Sequence, residues 1–195
     1  MCTIFDDLDS VINDNDTINC INLDIFPTKI YDTIVIDPPW PVKKLTHKDR
    51  PNQTTMDYKT MSVQEISKLP IAIISHDDCW LFLWTTQKFI FDAKNLLEKW
   101  GFNYLLTMVW EKTFGKSSGM ALYGFRWNAE FILVGTKGKK DTWPSTSLIP
   151  VVFQAENFKH SQKPSLFYKM IEPLGTKRID LFARRNRQNW DTWGD

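Results

Sequence analysis

The strongest constraint on the fold is an alternation running along most of the chain. Short apolar runs rich in β-branched and aromatic residues are separated by stretches of helical periodicity. The strand-like runs are Ile18–Ile25, Thr33–Ile36, Cys79–Trp84, Tyr104–Trp110, Glu130–Val134, Pro150–Phe153 and Arg178–Phe182. Ser62 opens one helical stretch as a cap, with Gln64 and Glu65 in its first turn. Residues 87–100 form another, with Ala93, Leu96, Leu97 and Trp100 on one face and Gly101 as the stop. A third spans Pro164–Ile171 and has proline in its first turn. Strands that alternate with helices predict an α/β fold: a mostly parallel central sheet with helices on both faces. Ligands of such sheets bind at the carboxyl ends of the strands.

At 195 residues the chain is the size of one domain. A short acidic lead, 1–17, and a single domain over 18–195 are expected. No apolar run approaches the roughly 20 residues of a membrane helix, and residues 1–24 hold six aspartates with no Lys or Arg. That start resembles neither a signal nor a transit peptide. The 3 cysteines, Cys2, Cys20 and Cys79, are odd in number and scattered, which suggests an intracellular, reducing setting. His47, His76 and His160 share no ligand spacing with them, so no metal site is read. G-x-G-x-x-G and P-loop patterns are absent, which argues against classical dinucleotide and P-loop enzymes.

Net charge is only +1, but it is unevenly spread. Lys43, Lys44, Lys48 and Arg50 face only Asp49, and the stretch 112–140 holds six basic residues against Glu130. Charge runs are ordinarily solvated faces. Falling on loops, they are also where a polyanion would be gripped. Lys137, Lys139 and Lys140 are expected beside the carboxyl ends of the strands, as phosphate contacts.

The sharpest local feature is Asp37-Pro38-Pro39-Trp40, directly after the run Thr33–Ile36. Two prolines remove two backbone donors and stiffen the turn. One reading is a rigid turn with a capping Asp. The other follows from the chemistry of an exocyclic amine, a weak nucleophile whose lone pair is delocalised into its ring. A carboxylate and an adjacent carbonyl that accept its two hydrogens free that lone pair for attack. The Asp37 side chain and the Pro38 carbonyl stand in that order, and a proline-locked loop preorganises them. Trp40 reads as an exposed ring able to pack on a base.

Companion motifs sharpen the reading: Tyr58-Lys59-Thr60-Met61-Ser62, Leu81-Phe82-Leu83-Trp84-Thr85, Val109-Trp110-Glu111-Lys112, Glu130 before Ile132-Leu133-Val134-Gly135, His160-Ser161-Gln162-Lys163-Pro164, and Arg178 to Arg184 followed by Trp190 to Asp195. With these in order, the chain resembles the S-adenosylmethionine-dependent adenine-N6 methyltransferases of the family of the eukaryotic mRNA N6-adenosine methyltransferase catalytic subunit. It looks most like the short bacterial and phage members. The resemblance implies a permuted Rossmann-like class I methyltransferase fold, with the catalytic strand first and the cofactor strand, Arg178–Arg184, last.

The same resemblance implies the site. Asp37, Pro38, Pro39 and Trp40 would be catalytic. S-adenosyl-L-methionine would be held by Asp37, Lys163, Phe182, Arg184 and Asn186, by the backbone of Cys20 and Ile21, and by Asp195 where the family often has Asn. Tyr58, Trp84, Trp110, Lys112, Glu130 and Ser161 would line the substrate. The partner would be nucleic acid, with DNA favoured over RNA, and either a second copy or a related subunit could accompany it. No membrane partner is implied. A non-catalytic, nucleic-acid-binding subunit is the competing reading. Duplex DNA would require the target base to leave the stack.

Overall fold

The computed structural model describes residues 26–42, 60–113, 121–122, 125–138, 148–156 and 162–194. A seven-stranded sheet carries the order β7-β3-β6-β2-β1-β8-β9. Its strands are β1 (Tyr31–Ile36), β2 (Ser75–Thr85), β3 (Asn103–Thr113), β6 (Ala129–Lys137), β7 (Val152–Glu156), β8 (Arg178–Leu181) and β9 (Asp191–Trp193). β4 (Ala121–Leu122) and β5 (Phe125–Arg126) form a separate two-stranded pair. The helices are α1 (Val63–Ser67), α2 (Ile71–Ile74), α3 (Ile90–Lys99) and α4 (Ser165–Ile171). This is the α/β arrangement, a mostly parallel sheet with helices on both faces, that the alternation in the sequence predicts.

Parallel pairs join β2, β1, β8 and β9 in turn, and β3 with β7. β6 runs antiparallel to both of its neighbours, β2 and β3. Alternation along β2 explains the two-sided core. Leu81 and Leu83 join one buried cluster, with Ile66 of α1 and Ala93, Leu96 and Leu97 of α3. Trp80, Phe82 and Trp84 join the other, with Phe167, Tyr168 and Ile171 of α4. Both faces of the sheet are thus covered, and the runs Ile34–Ile36, Cys79–Trp84 and Ile132–Val134 at its centre are buried and apolar.

Local chemistry explains the boundaries. Ser62 caps α1 in a reciprocal capping box with Glu65: the Glu65 N–H donates to the Ser62 hydroxyl at 3.1 Å, and the Ser62 N–H donates to the Glu65 carboxylate at 2.6 Å. Gly101 takes φ +84° just past α3, the left-handed stop expected of it. Pro164 caps α4 rather than sitting inside it. β7 starts at Val152, two residues after the expected Pro150, where the backbone joins the β3 edge through Val109. Arg178–Phe182 shortens by one residue because Phe182 bends into φ +62°. The strand expected at Ile18–Ile25 and the lead at 1–17 lie outside the described residues.

Candidate active site

β1 delivers Asp37 to the carboxyl end of the sheet, between β2 and β8. The backbone carries it there: the Asp37 N–H donates to Leu181 O at 3.3 Å, one step beyond the β1–β8 ladder. The proline turn then folds on itself. The Trp40 N–H donates to Pro38 O and the Met61 N–H to Pro39 O, each at 2.8 Å. A carbonyl has two lone pairs, so the bond from Trp40 fixes the Pro38 oxygen without exhausting it.

Trp40 corrects the expectation of an exposed ring. It is 6% exposed. Its indole N–H donates to Trp84 O at 2.9 Å, and its ring stacks on Phe89 at 5.1 Å and 11°. It is a clasp between the turn and the end of β2. Burying an indole with its N–H bonded is the cheapest way to place such a ring in the core. Trp84 and Trp110, expected against the substrate, are also core residues, 0% and 1% exposed and packed edge to face at 5.9 Å. Their rings support the site from beneath. The Lys163 ammonium lies 4.6 Å from the Trp84 ring centre, and the Lys112 ammonium 5.0 Å from that of Trp110.

Above those rings runs a chain of alternating charges. Lys112 pairs with Glu130, Glu130 with Lys163 at 2.7 Å, and Lys163 with Asp37 at 3.1 Å. Lys163 is 11% exposed at its side chain and Asp37 22%. Burial pushes the Asp37 carboxyl above the usual aspartate range, and the Glu130 charge adds to this; Lys163 and Arg184 pull it back only in part. Burial also pushes Glu130 up, but Lys163 and Lys112 outweigh it and hold Glu130 below its ordinary value. Burial lowers Lys163, yet its two carboxylates keep it above the usual lysine range. The ammonium is therefore held charged in a nearly closed place.

A small, half-open cleft lies beside Asp37, lined by Gln162, Lys163, Tyr168, Asp180, Phe182, Ala183, Arg184, Arg185 and Arg187. Phe182 forms part of one wall; its N–H donates to Trp193 O at 2.5 Å, and its ring meets Trp193 edge to face at 5.5 Å. A methyl group on Gly194 would come within 3.1 Å of that ring, and the glycine itself sits at φ +84°. Arg184 is exposed on the rim. Asn186 does not join the lining: it is exposed, and its side-chain oxygen accepts from the Thr192 hydroxyl at 3.1 Å. Cys20, Ile21, Tyr58, Ser161 and Asp195 lie outside the described residues.

The sequence reading missed the floor of this cleft. Asp180 on β8 is 3% exposed and accepts from the Tyr168 hydroxyl at 2.8 Å. The Arg187 guanidinium covers the Tyr168 ring at 3.5 Å, with Nε 3.9 Å from the Asp180 carboxylate. Burial raises Asp180 to about 7, against the opposing pull of Tyr168 and Arg187. The available signal was a lone acid inside an apolar strand, a position that is costly unless partnered.

One basic loop is also corrected. Lys137 was expected near the strands' carboxyl ends, but β6 is antiparallel to β2. Its end therefore lies at the opposite edge of the sheet, where the Lys137 ammonium donates to the Ser75 hydroxyl at 3.0 Å. Lys43, Lys44, Lys48, Arg50, Lys139 and Lys140 lie outside the described residues.

The MT-A70 family model matches residues 31–195, which include every element described above. The chain belongs to the MT-A70 family, and it is a class I methyltransferase of the adenine-N6 type that uses S-adenosylmethionine as methyl donor. Among its relatives is the Type II methyltransferase M.MunI of Mycoplasma sp, 30% identical, with 86% of this chain and 78% of that protein covered. The human N(6)-adenosine-methyltransferase catalytic subunit METTL3 is also 30% identical, over 89% of this chain but only 29% of its own length. The mouse N(6)-adenine-specific methyltransferase METTL4 is 26% identical, over 86% of this chain and 37% of its own. The chain thus spans most of one relative and a third or so of the others. No helix among the described residues is long and apolar enough to cross a membrane.

Proposed function

We propose that the chain methylates the N6 amine of adenine in DNA, with Asp37 as the residue that activates the amine. The observation that carries this is the position of Asp37 at the edge of the cleft, next to a Pro38 carbonyl fixed by its own turn. The bound cofactor supplies an electrophilic sulfonium methyl group. The chain supplies position and charge, which is most of what an in-line transfer needs. One amine hydrogen is accepted by the Asp37 carboxylate and the other by Pro38 O. As nitrogen becomes cationic, its surplus proton passes to Asp37, whose raised affinity for protons suits that task. Lys163 holds Asp37 charged until then and offers its ammonium to the carboxylate of the cofactor. Arg184 and Asp180 stand at the part of the cleft suited to hydroxyl groups.

The donor set fits that cofactor. An ammonium between two carboxylates matches an amino-acid end, and acids and arginines along one wall match a polar ribose. The preference for DNA rests on the likeness to the short bacterial and phage members of the family. Ser161, Tyr58, Cys20, Ile21 and Asp195 belong to the proposed site by the family pattern. A second copy or a related subunit is part of the same reading. The test is incubation with methyl-labelled cofactor and panels of single- and double-stranded DNA and RNA, followed by identification of the modified base. Labelled N6-methyladenine in DNA is the expected product. Label confined to RNA would overturn the substrate preference, and label on another base would overturn the mechanism.

A further inference from the structure

The chain holds 9 tryptophans. Of the eight among described residues, six are buried and Trp193 packs against the core. Trp127 is the exception, 46% exposed, and Phe125, two residues before it, is 74% exposed. Phe125 opens β5, and Trp127 lies on the short link from β5 to β6. That segment is anchored to the active site: the Lys112 N–H donates to Asn128 O at 2.7 Å, directly after Trp127. Glu130, three residues on from Trp127, is the middle of the charge chain that ends at Asp37. Two large rings are thus held in water at the catalytic end of the sheet.

The surroundings fit a polyanion rather than an apolar partner. Arg126 stands between Phe125 and Trp127 in the chain, Lys112 lies at the same end of the sheet, and the nearby acid, Glu130, is already paired with Lys112 and Lys163. Flat rings interleaved with cations suit unstacked bases on a phosphate backbone. Adenine whose amine reaches Asp37 must leave its stack, because Asp37 lies in a recess and Trp40 closes the turn behind it. The bases on either side then each lose a stacking partner. From these facts we infer that Phe125 and Trp127 form a stacking ledge for a nucleobase flanking the target adenine. The inference rests on the nucleic-acid reading above and names residues that carry it.

Its test uses the full chain and two short single-stranded DNA probes. One carries a single adenine with ordinary neighbours; the other has abasic sites on both sides of that adenine. Wild type should bind the ordinary probe more tightly. Trp127→Ala should weaken binding of the ordinary probe by roughly five- to hundredfold and leave the abasic probe unchanged. Trp127→Phe should retain most of the affinity, and Phe125→Ser should shift it in the same direction as Trp127→Ala. Cofactor affinity by calorimetry should not move in any variant, which also confirms folding. Equal effects on both probes, no effect on either, or no binding by wild type would overturn the ledge. So would sedimentation showing that Trp127→Ala turns a dimer into a monomer, since the rings would then face a second copy. Methyl transfer by wild type is measured separately: its failure with probe discrimination intact defeats the enzymatic reading alone.

Discussion

Lys163 touches both Asp37 and Glu130, so no single residue of the charge chain can be removed without unbalancing the next. Replacing Asp37 with Asn keeps the shape but removes the charge that favours a developing cation. Turnover should fall by at least a hundredfold, while the melting temperature stays near that of wild type; a variant keeping a tenth of the rate would contradict the role. Asp180 makes a different prediction. Its folded value of about 7 lies above the roughly 3.9 of an unfolded aspartate. Between those values the folded state binds more protons, so this residue makes stability fall as pH rises from about 4 to about 7. Asp180→Asn should flatten that slope. Denaturant unfolding of both proteins across the range measures it, and parallel curves would show that Asp180 is charged when folded.

At the scale of elements, the proline turn after β1 is held by the side-chain clasp of Trp40 on the Trp84 carbonyl. Trp40→Phe keeps the stack on Phe89 but strands the buried Trp84 carbonyl. A lost partner of this kind costs about 1–3 kcal/mol, or a few degrees of melting temperature for a domain of this size. Turnover should drop with it, because Pro38 O is placed by the same turn; calorimetric melting and a rate assay read both. Most of the elements were legible because their signals are local: Ser62 and Glu65 announce a cap, Gly101 a stop, and β-branched runs the strands. What escaped depends on tertiary contact. Trp40 reads as exposed until Trp84 and Phe89 are seen to enclose it. β9 is three residues long and forms only because β8 offers an edge. Asp180 and Tyr168 are 12 residues apart and meet only when α4 packs on β8. Strand direction is likewise invisible to local pattern, which is why Lys137 was placed at the wrong edge.

For the whole molecule that direction sorts the charges between the two ends of the sheet. Asp37, Glu130, Lys112 and Lys163 share one edge of the sheet, and Lys137 stands at the other, bonded to Ser75. Lys137→Ala should therefore leave both DNA affinity and its dependence on salt unchanged, whereas a lysine on a phosphate would lower the logarithmic slope by about one. Titrations at several salt concentrations decide it. The antiparallel pairing of β3 with β6 has a last consequence. Both strands meet at the end of the sheet that carries Asp37, so their connection, 114–127, can change length without altering a rung of the β3–β6 ladder. Loop closure costs grow only with the logarithm of length. The fold thereby lets this connection vary while the proline turn after β1 and the charge chain from Lys112 to Asp37 keep their places on the ladder.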